Sequence, residues 1–114
     1  MNSIIEFNDG SQMTLIELAS AIRAEPNGLT KGAFIRRGGT RCTVGVLCGW
    51  HSTATGDKST RRVVNIDTNI ESDLVAMNDA FRGTNAQRAE FMANSLENGT
   101  VLEWFIRSYN QEST

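Results

Sequence analysis

At 114 residues, 39% of them hydrophobic, the chain suits one folded domain spanning 1–114 and is neither a disordered nor a low-complexity sequence. No apolar run approaches the ~20 residues that span a bilayer, and two cysteines are too few for a disulfide scaffold. The net charge of −2 hides three blocks: residues 31–62 carry seven cations against one acid, 1–30 carry one against four, and 63–114 carry three against eight.

The N-terminal MNSIIEFNDGSQ has neither the basic start nor the long apolar run of a secretory signal, so a cytoplasmic setting is expected. Within it, residues 3–7 (SIIEF) are β-prone and stop at the turn signal Asn8-Asp9-Gly10. A helix is predicted over about 14–24. Thr14 and Glu17 form a capping box, Leu15, Leu18, Ala19 and Ile22 recur as one stripe, and Pro26-Asn27-Gly28 ends it. Residues 31–40 (KGAFIRRGGT) read as a strand followed by a Gly-Gly turn, and a second helix is predicted over 41–51 with Thr40 as its N-cap. Residues 52–62 are polar and read as a loop, and VVNID at 63–67 as a short strand. A third helix, about 69–80, carries Leu74, Met77 and Phe81 on one side and acids on the other, and breaks at Phe81-Arg82-Gly83. Thr84 and Gln87 form a second capping box that opens a helix over 85–97, with Ala89, Met92 and Leu96 inward and Asn98-Gly99 at its end. Thr100 and Glu103 form a third box, and Val101, Leu102, Phe105, Ile106 and Tyr109 predict a fifth helix over 100–110.

Both cysteines and the only histidine fall in TRCTVGVLCGWH, residues 40–51. On a helix, Cys42, Gly45 and Gly49 share one face, Val44, Leu47, Cys48 and His51 a second, and Val46 and Trp50 a third. A helix apolar nearly all round is buried. Its two glycines would each cost about 1 kcal/mol relative to alanine, a cost that close approach of another backbone would explain. Cys48 and His51, three apart, could meet as nucleophile and base, with Asn78 or Asp79 as the orienting group. Reactive cysteines, however, occupy exposed electropositive settings, and Cys48 lies on an apolar stripe. Cys42, Cys48 and His51 also fall short of the four ligands of a structural zinc site. The expectation is therefore two structural cysteines, a capping or partly buried His51, no catalytic or metal-binding residue and no cofactor. Trp50, Trp104 and Tyr109 read as core or interface residues, and Gly38-Gly39 lacks the rest of a phosphate-binding loop.

The basic block supplies the candidate binding residues Arg36, Arg37, Arg41, Lys58, Arg61 and Arg62. Arginine suits bidentate contacts with carboxylate or phosphate. Either these groups neutralise the chain's own acidic helices, or they form a face for nucleic acid, a nucleotide phosphate or an acidic partner.

Two blocks, LIELASAIRAEPNGLTKGAF…RCTVGVL and VAMNDAFRGTNAQRAEFMANSLE, together resemble a family of small uncharacterised phage and bacterial proteins. The matching positions are Thr30 and Gly32, Cys42, Gly45 and Leu47, and Asn78, Asp79 and Thr84, within residues 14–97. The sequence departs in having Arg41 where an aromatic residue commonly precedes the cysteine, and in its Trp-containing C-terminal segment. The resemblance implies a fold and a phage-type origin and brings no activity with it. Asn78 and Asp79 read as capping residues that bond backbone N–H groups of the next turn.

The expected fold is α+β, helix-rich, with four to five helices around the Gly- and Cys-containing helix and short β-hairpins at the edge. The expected function is that of a small non-enzymatic protein that binds and inhibits a host protein, for example a component of a defence system, with no membrane partner. The second reading is a nucleic-acid or nucleotide-phosphate binder using the Arg-rich 31–62 segment, and the third a Cys48/His51 hydrolase.

Overall fold

The β-prone start and its turn close a hairpin in the computed structural model of the chain, which describes residues 4–64 and 70–100. Strands β1 (Ile4–Glu6) and β2 (Gln12–Thr14) pair antiparallel, with Ile5 opposite Met13. Side chains alternate across a strand, so Ile5 and Phe7 both point inward and are buried. Thr14 ends β2 and also caps helix α1 (Leu15–Arg23). Its hydroxyl accepts from Glu17 N at 3.0 Å, and Glu17 Oε1 accepts from Thr14 N at 3.1 Å.

The stripe Leu15, Leu18, Ala19 and Ile22 is buried, and α1 packs along helix α4 (Asn85–Glu97), whose Ala89, Met92, Ala93 and Leu96 face it in the core. Arg23 clamps the pair from outside, donating to Glu90 Oε1 at 2.6 Å, to Asn94 Oδ1 at 2.8 Å and to Glu97. Such surface pairs contribute little each, so the apolar stripes hold the helices together. The predicted box at Thr84 and Gln87 is present at the start of α4. Helix α3 (Ile70–Ala80) buries Leu74 and Met77. Phe81, just beyond it, stacks on Phe91 of α4 at 4.6 Å.

The helix predicted over 41–51 is shorter, and its cap differs. Helix α2 runs only from Thr43 to Leu47, with Cys42 as its N-cap in place of Thr40. Its end is set by Gly49, at φ +67°. Gly49 N donates to Val46 O at 3.3 Å and Trp50 N to Gly45 O at 2.9 Å. This pair of backward bonds closes a helix on a left-handed residue, which glycine adopts without a Cβ clash. Gly49 is therefore a stop signal and not part of a helix face. All five residues of α2 are buried, and it touches both α1 and α3, so the Gly- and Cys-containing helix does lie centrally.

Residues 52–62 are not a plain loop. His51 opens strand β3 (His51–Thr53), which pairs with β4 (Gly56–Lys58) in an exposed hairpin. His51 is thus an exposed strand residue and not a helix-end cap. The strand predicted ahead of the Gly-Gly turn in 31–40 is reduced to a single bridge between Ile35 and Arg41, although the turn at Gly38-Gly39 forms, with Gly39 N bonded to Arg36 O at 2.9 Å. Val63 bridges to Phe7 and Val64 N donates to Glu6 O; the rest of the predicted 63–67 strand lies outside the described residues. So do the predicted fifth helix beyond Thr100, the Glu103 half of its capping box, Trp104 and Tyr109. Among the described residues the architecture is α+β, with four helices and two antiparallel hairpins. One apolar cluster runs from Ile5 to Leu96 and draws on β1 and all four helices. No helix among the described residues is long and apolar enough to cross a membrane.

Candidate functional site

The absence of a side chain at Gly45 shapes a mainly apolar cleft. A Cβ built there would lie 2.0 Å from Phe34 O. That carbonyl accepts from Cys42 N at 3.2 Å, so residues 31–40 lie directly on the first turn of α2. The arrangement stands the Phe34 ring against Trp50, centroid to centroid 5.2 Å with the planes 19° apart. Trp50 is held in turn by the bond that ends α2.

Between this stack and α3 opens a cleft of about 420 Å³, within the range of ligand pockets. Its walls are mainly apolar, with Ile35, Val75 and the buried Cys42 beside the stack, and two carboxylates, Asp57 from β4 and Asp79 from α3, look into it. Asp57 Oδ1 accepts from Ser52 Oγ at 2.8 Å, and Asp79 Oδ1 accepts from Gly32 N at 3.1 Å. Neither has a cationic partner among the described residues.

Asn78 fixes the α3 side of this wall. It is fully buried. Its Oδ1 accepts from Thr43 N at 3.1 Å and from Thr43 Oγ1 at 2.8 Å, and its Nδ2 donates to Thr30 O at 2.9 Å and to Asp79 Oδ1 at 3.0 Å. All four hydrogen-bonding positions of the amide are used. Asn78 and Asp79 therefore do not cap the next turn, the role expected of these residue types at a helix end. They tie α3 to the start of α2 and to residues 30–32, while Thr84 serves as the cap of the following helix.

The two thiols are free and buried. Cys42 Sγ accepts from Gly45 N at 3.4 Å, the work of an N-cap, and burial raises the pKa of the thiol. Cys48 Sγ donates to Glu71 Oε1 at 3.5 Å. Burial, reinforced by the Glu71 carboxylate, pushes its pKa up to about 12. His51 Nδ1 lies 3.2 Å from Gly49 O. The Cys48–His51 contact required by the hydrolase reading is thus not formed, and the thiol is held protonated at neutral pH. Among the described residues no three His, Cys, Asp or Glu side chains group as metal ligands.

The basic block is divided among different tasks. Arg41 pairs with Glu25 and also donates to Trp50 O at 3.3 Å. Arg61 Nε donates to Leu47 O, at the end of α2, at 2.9 Å, and its guanidinium lies 4.0 Å over the ring of the buried Phe7. Arg36 donates to Lys31 O at 2.7 Å. Arg37, Lys58 and Arg62 are exposed and make no ion pair among the described residues. Arg61 and Arg62, both candidate binding residues by sequence, therefore differ. Arg61→Ala should cost about 1–2 kcal/mol through the lost carbonyl bond and ring contact, and Arg62→Ala less than about 0.5 kcal/mol. Urea denaturation of the two single variants measures the difference.

The sequence reading did not find Phe34 or Asp57. Asp57 did carry a signal, as the one acid in the basic block. Phe34 and Trp50 had none, because 16 positions separate them and no periodicity links them.

No family model matches the chain, and no curated protein or solved structure is found to be similar to it. The family resemblance over residues 14–97 thus rests on its short motifs alone.

Proposed function

We propose that this chain is a non-enzymatic binding protein whose cleft receives a basic side chain of a partner protein. The observation that carries this reading is the juxtaposition of the Phe34–Trp50 stack with two carboxylates, Asp57 and Asp79, that have no cation of their own among the described residues. Aromatic faces attract ammonium and guanidinium groups, and carboxylates take them in charge-assisted hydrogen bonds. Phe34 is 44% exposed, so its ring is available to an incoming side chain. A cleft of about 420 Å³ accommodates one long side chain and its near neighbours. In the setting that the family resemblance implies, the partner is a host protein, and inhibition follows from occupying its basic surface. Two free, buried thiols suit a reducing compartment and so a cytoplasmic site of action.

Tryptophan emission titrated with a short arginine peptide tests this, with a glutamate peptide of equal length as control. The arginine peptide should give a saturable change that weakens at least tenfold in Asp57→Asn and in Phe34→Ala, both folded by circular dichroism. No saturation, or equal binding by both variants, refutes the reading. Asp79 is left intact because it also holds Gly32.

A further inference from the structure

A second recess, of about 490 Å³, lies where Thr30 and Lys31 meet the turn between α3 and α4. Four cationic side chains line it, Lys31, Arg36, Arg82 and Arg88, and no carboxylate does. Lys31 and Arg36 come from the loop after α1, Arg82 from the α3–α4 turn and Arg88 from α4, so no single charge run produces the cluster.

Arg88 is the unusual member. It is 3% exposed, yet every acceptor around it is neutral: Asn78 O at 2.9 Å, Phe81 O at 2.9 Å, Leu29 O at 3.3 Å and Asn85 Oδ1 at 3.4 Å. Its hydrogen bonds are well supplied, but its charge has no counter-ion among the described residues. It also lies in the first turn of α4, where the helix dipole disfavours a cation. A buried, uncompensated charge is costly and is felt strongly by a neighbouring anion, because little water screens it. The helix start adds its own positive end to the same recess through Asn85.

We infer that this recess binds a phosphate group carried by a small molecule. Exposed Lys31 and Arg82 would close on the phosphate oxygens, with Arg88 as the fixed charge behind them. Guanidinium forks match phosphate geometry, and a dianion suits four converging cations better than a single carboxylate does. The volume exceeds that of phosphate alone and leaves room for the group that carries it. Convergence on one recess fits one phosphate rather than a nucleic-acid backbone. This site is separate from the acidic cleft, and neither proposal depends on the other.

Isothermal titration at low salt with inorganic phosphate, adenosine monophosphate and adenosine tests it. Saturable binding of the first two but not of adenosine is expected, weakened at least tenfold in Lys31→Ala/Arg82→Ala. The melting temperature of that ligand-free variant should stay unchanged, since both side chains are exposed. Tighter binding of the monophosphate than of phosphate would show recognition beyond the phosphate group, and equal binding recognition of phosphate alone. Absence of saturable phosphate binding, or no loss in the double variant, overturns the proposal. Loss in Arg37→Ala/Arg62→Ala instead, or binding of a single-stranded oligonucleotide without binding of either small phosphate, also overturns it.

Discussion

Gly45→Ala should destabilise the protein by about 3 kcal/mol, a loss of overpacking size increased by a broken hydrogen bond. Two effects oppose each other at this position, and geometry decides between them. Gly45 lies in the interior of α2, where alanine would by propensity alone stabilise by about 1 kcal/mol. The new methyl, however, would fall 2.0 Å from Phe34 O and 3.0 Å from Arg41 Cβ. A backbone carbonyl cannot turn aside as the tip of a side chain can. Residues 31–40 would have to lift from the helix, breaking the 3.2 Å bond from Cys42 N to Phe34 O and parting Phe34 from Trp50. Urea denaturation should show the loss in stability, and tryptophan emission should shift in the folded variant as the stack opens. Arginine-peptide binding should fall with it. A variant as stable as the parent would mean that the 31–40 segment does not rest on α2.

What could be read from the sequence was mostly local. Capping boxes lie within four residues, so Thr14/Glu17 and Thr84/Gln87 marked the starts of α1 and α4 correctly. The apolar stripes of α1 and α4 were readable because helix periodicity is a property of one segment. The α2 region misled for an equally local reason. Gly49 could be read as a small face of a long helix or as a left-handed stop, and apolar residues on both sides favoured the first. Cys42 was not seen as a cap because sulfur is a weak acceptor and lies outside the usual capping set. The β3–β4 hairpin is exposed throughout and shows no apolar alternation to announce it. The cleft was not readable at all, since Phe34, Trp50, Asp57 and Asp79 come from four separate segments. Asn78 and Asp79 were singled out correctly but given the wrong partners, because their true partners lie 47 or 48 residues away at Gly32 and Thr30, and 35 away at Thr43.

The same long-range bonds make Asn78 the other position of large effect. Asn78→Leu should cost about 3–5 kcal/mol. It keeps the approximate volume but strands Thr43 N, Thr43 Oγ1 and Thr30 O in a site that water does not reach, at about 1–3 kcal/mol for each group left unsatisfied. Asn78→Asp discriminates packing from hydrogen bonding, since it alters shape hardly at all. Its Oδ1 can still accept from Thr43, but the second oxygen would face Thr30 O and Asp79 Oδ1, two acceptors, in place of the amide donor. Burial and the nearby Asp79 would raise the pKa of the new carboxyl above its unfolded value. The folded variant would then bind a proton that the unfolded chain releases, so its stability relative to the parent should rise as pH falls through that raised value. Once protonated, the carboxyl can donate to Thr30 O and restore part of the clamp. Urea denaturation of parent, Asn78→Leu and Asn78→Asp at pH 7 and pH 5 separates the cases. The Leu deficit should be about the same at both pH values, and the Asp deficit should shrink at pH 5. An Asp variant as stable as the parent at pH 7 would mean that the amide nitrogen does not hold Thr30, and with that the tie between α3 and the wall of the cleft would be lost.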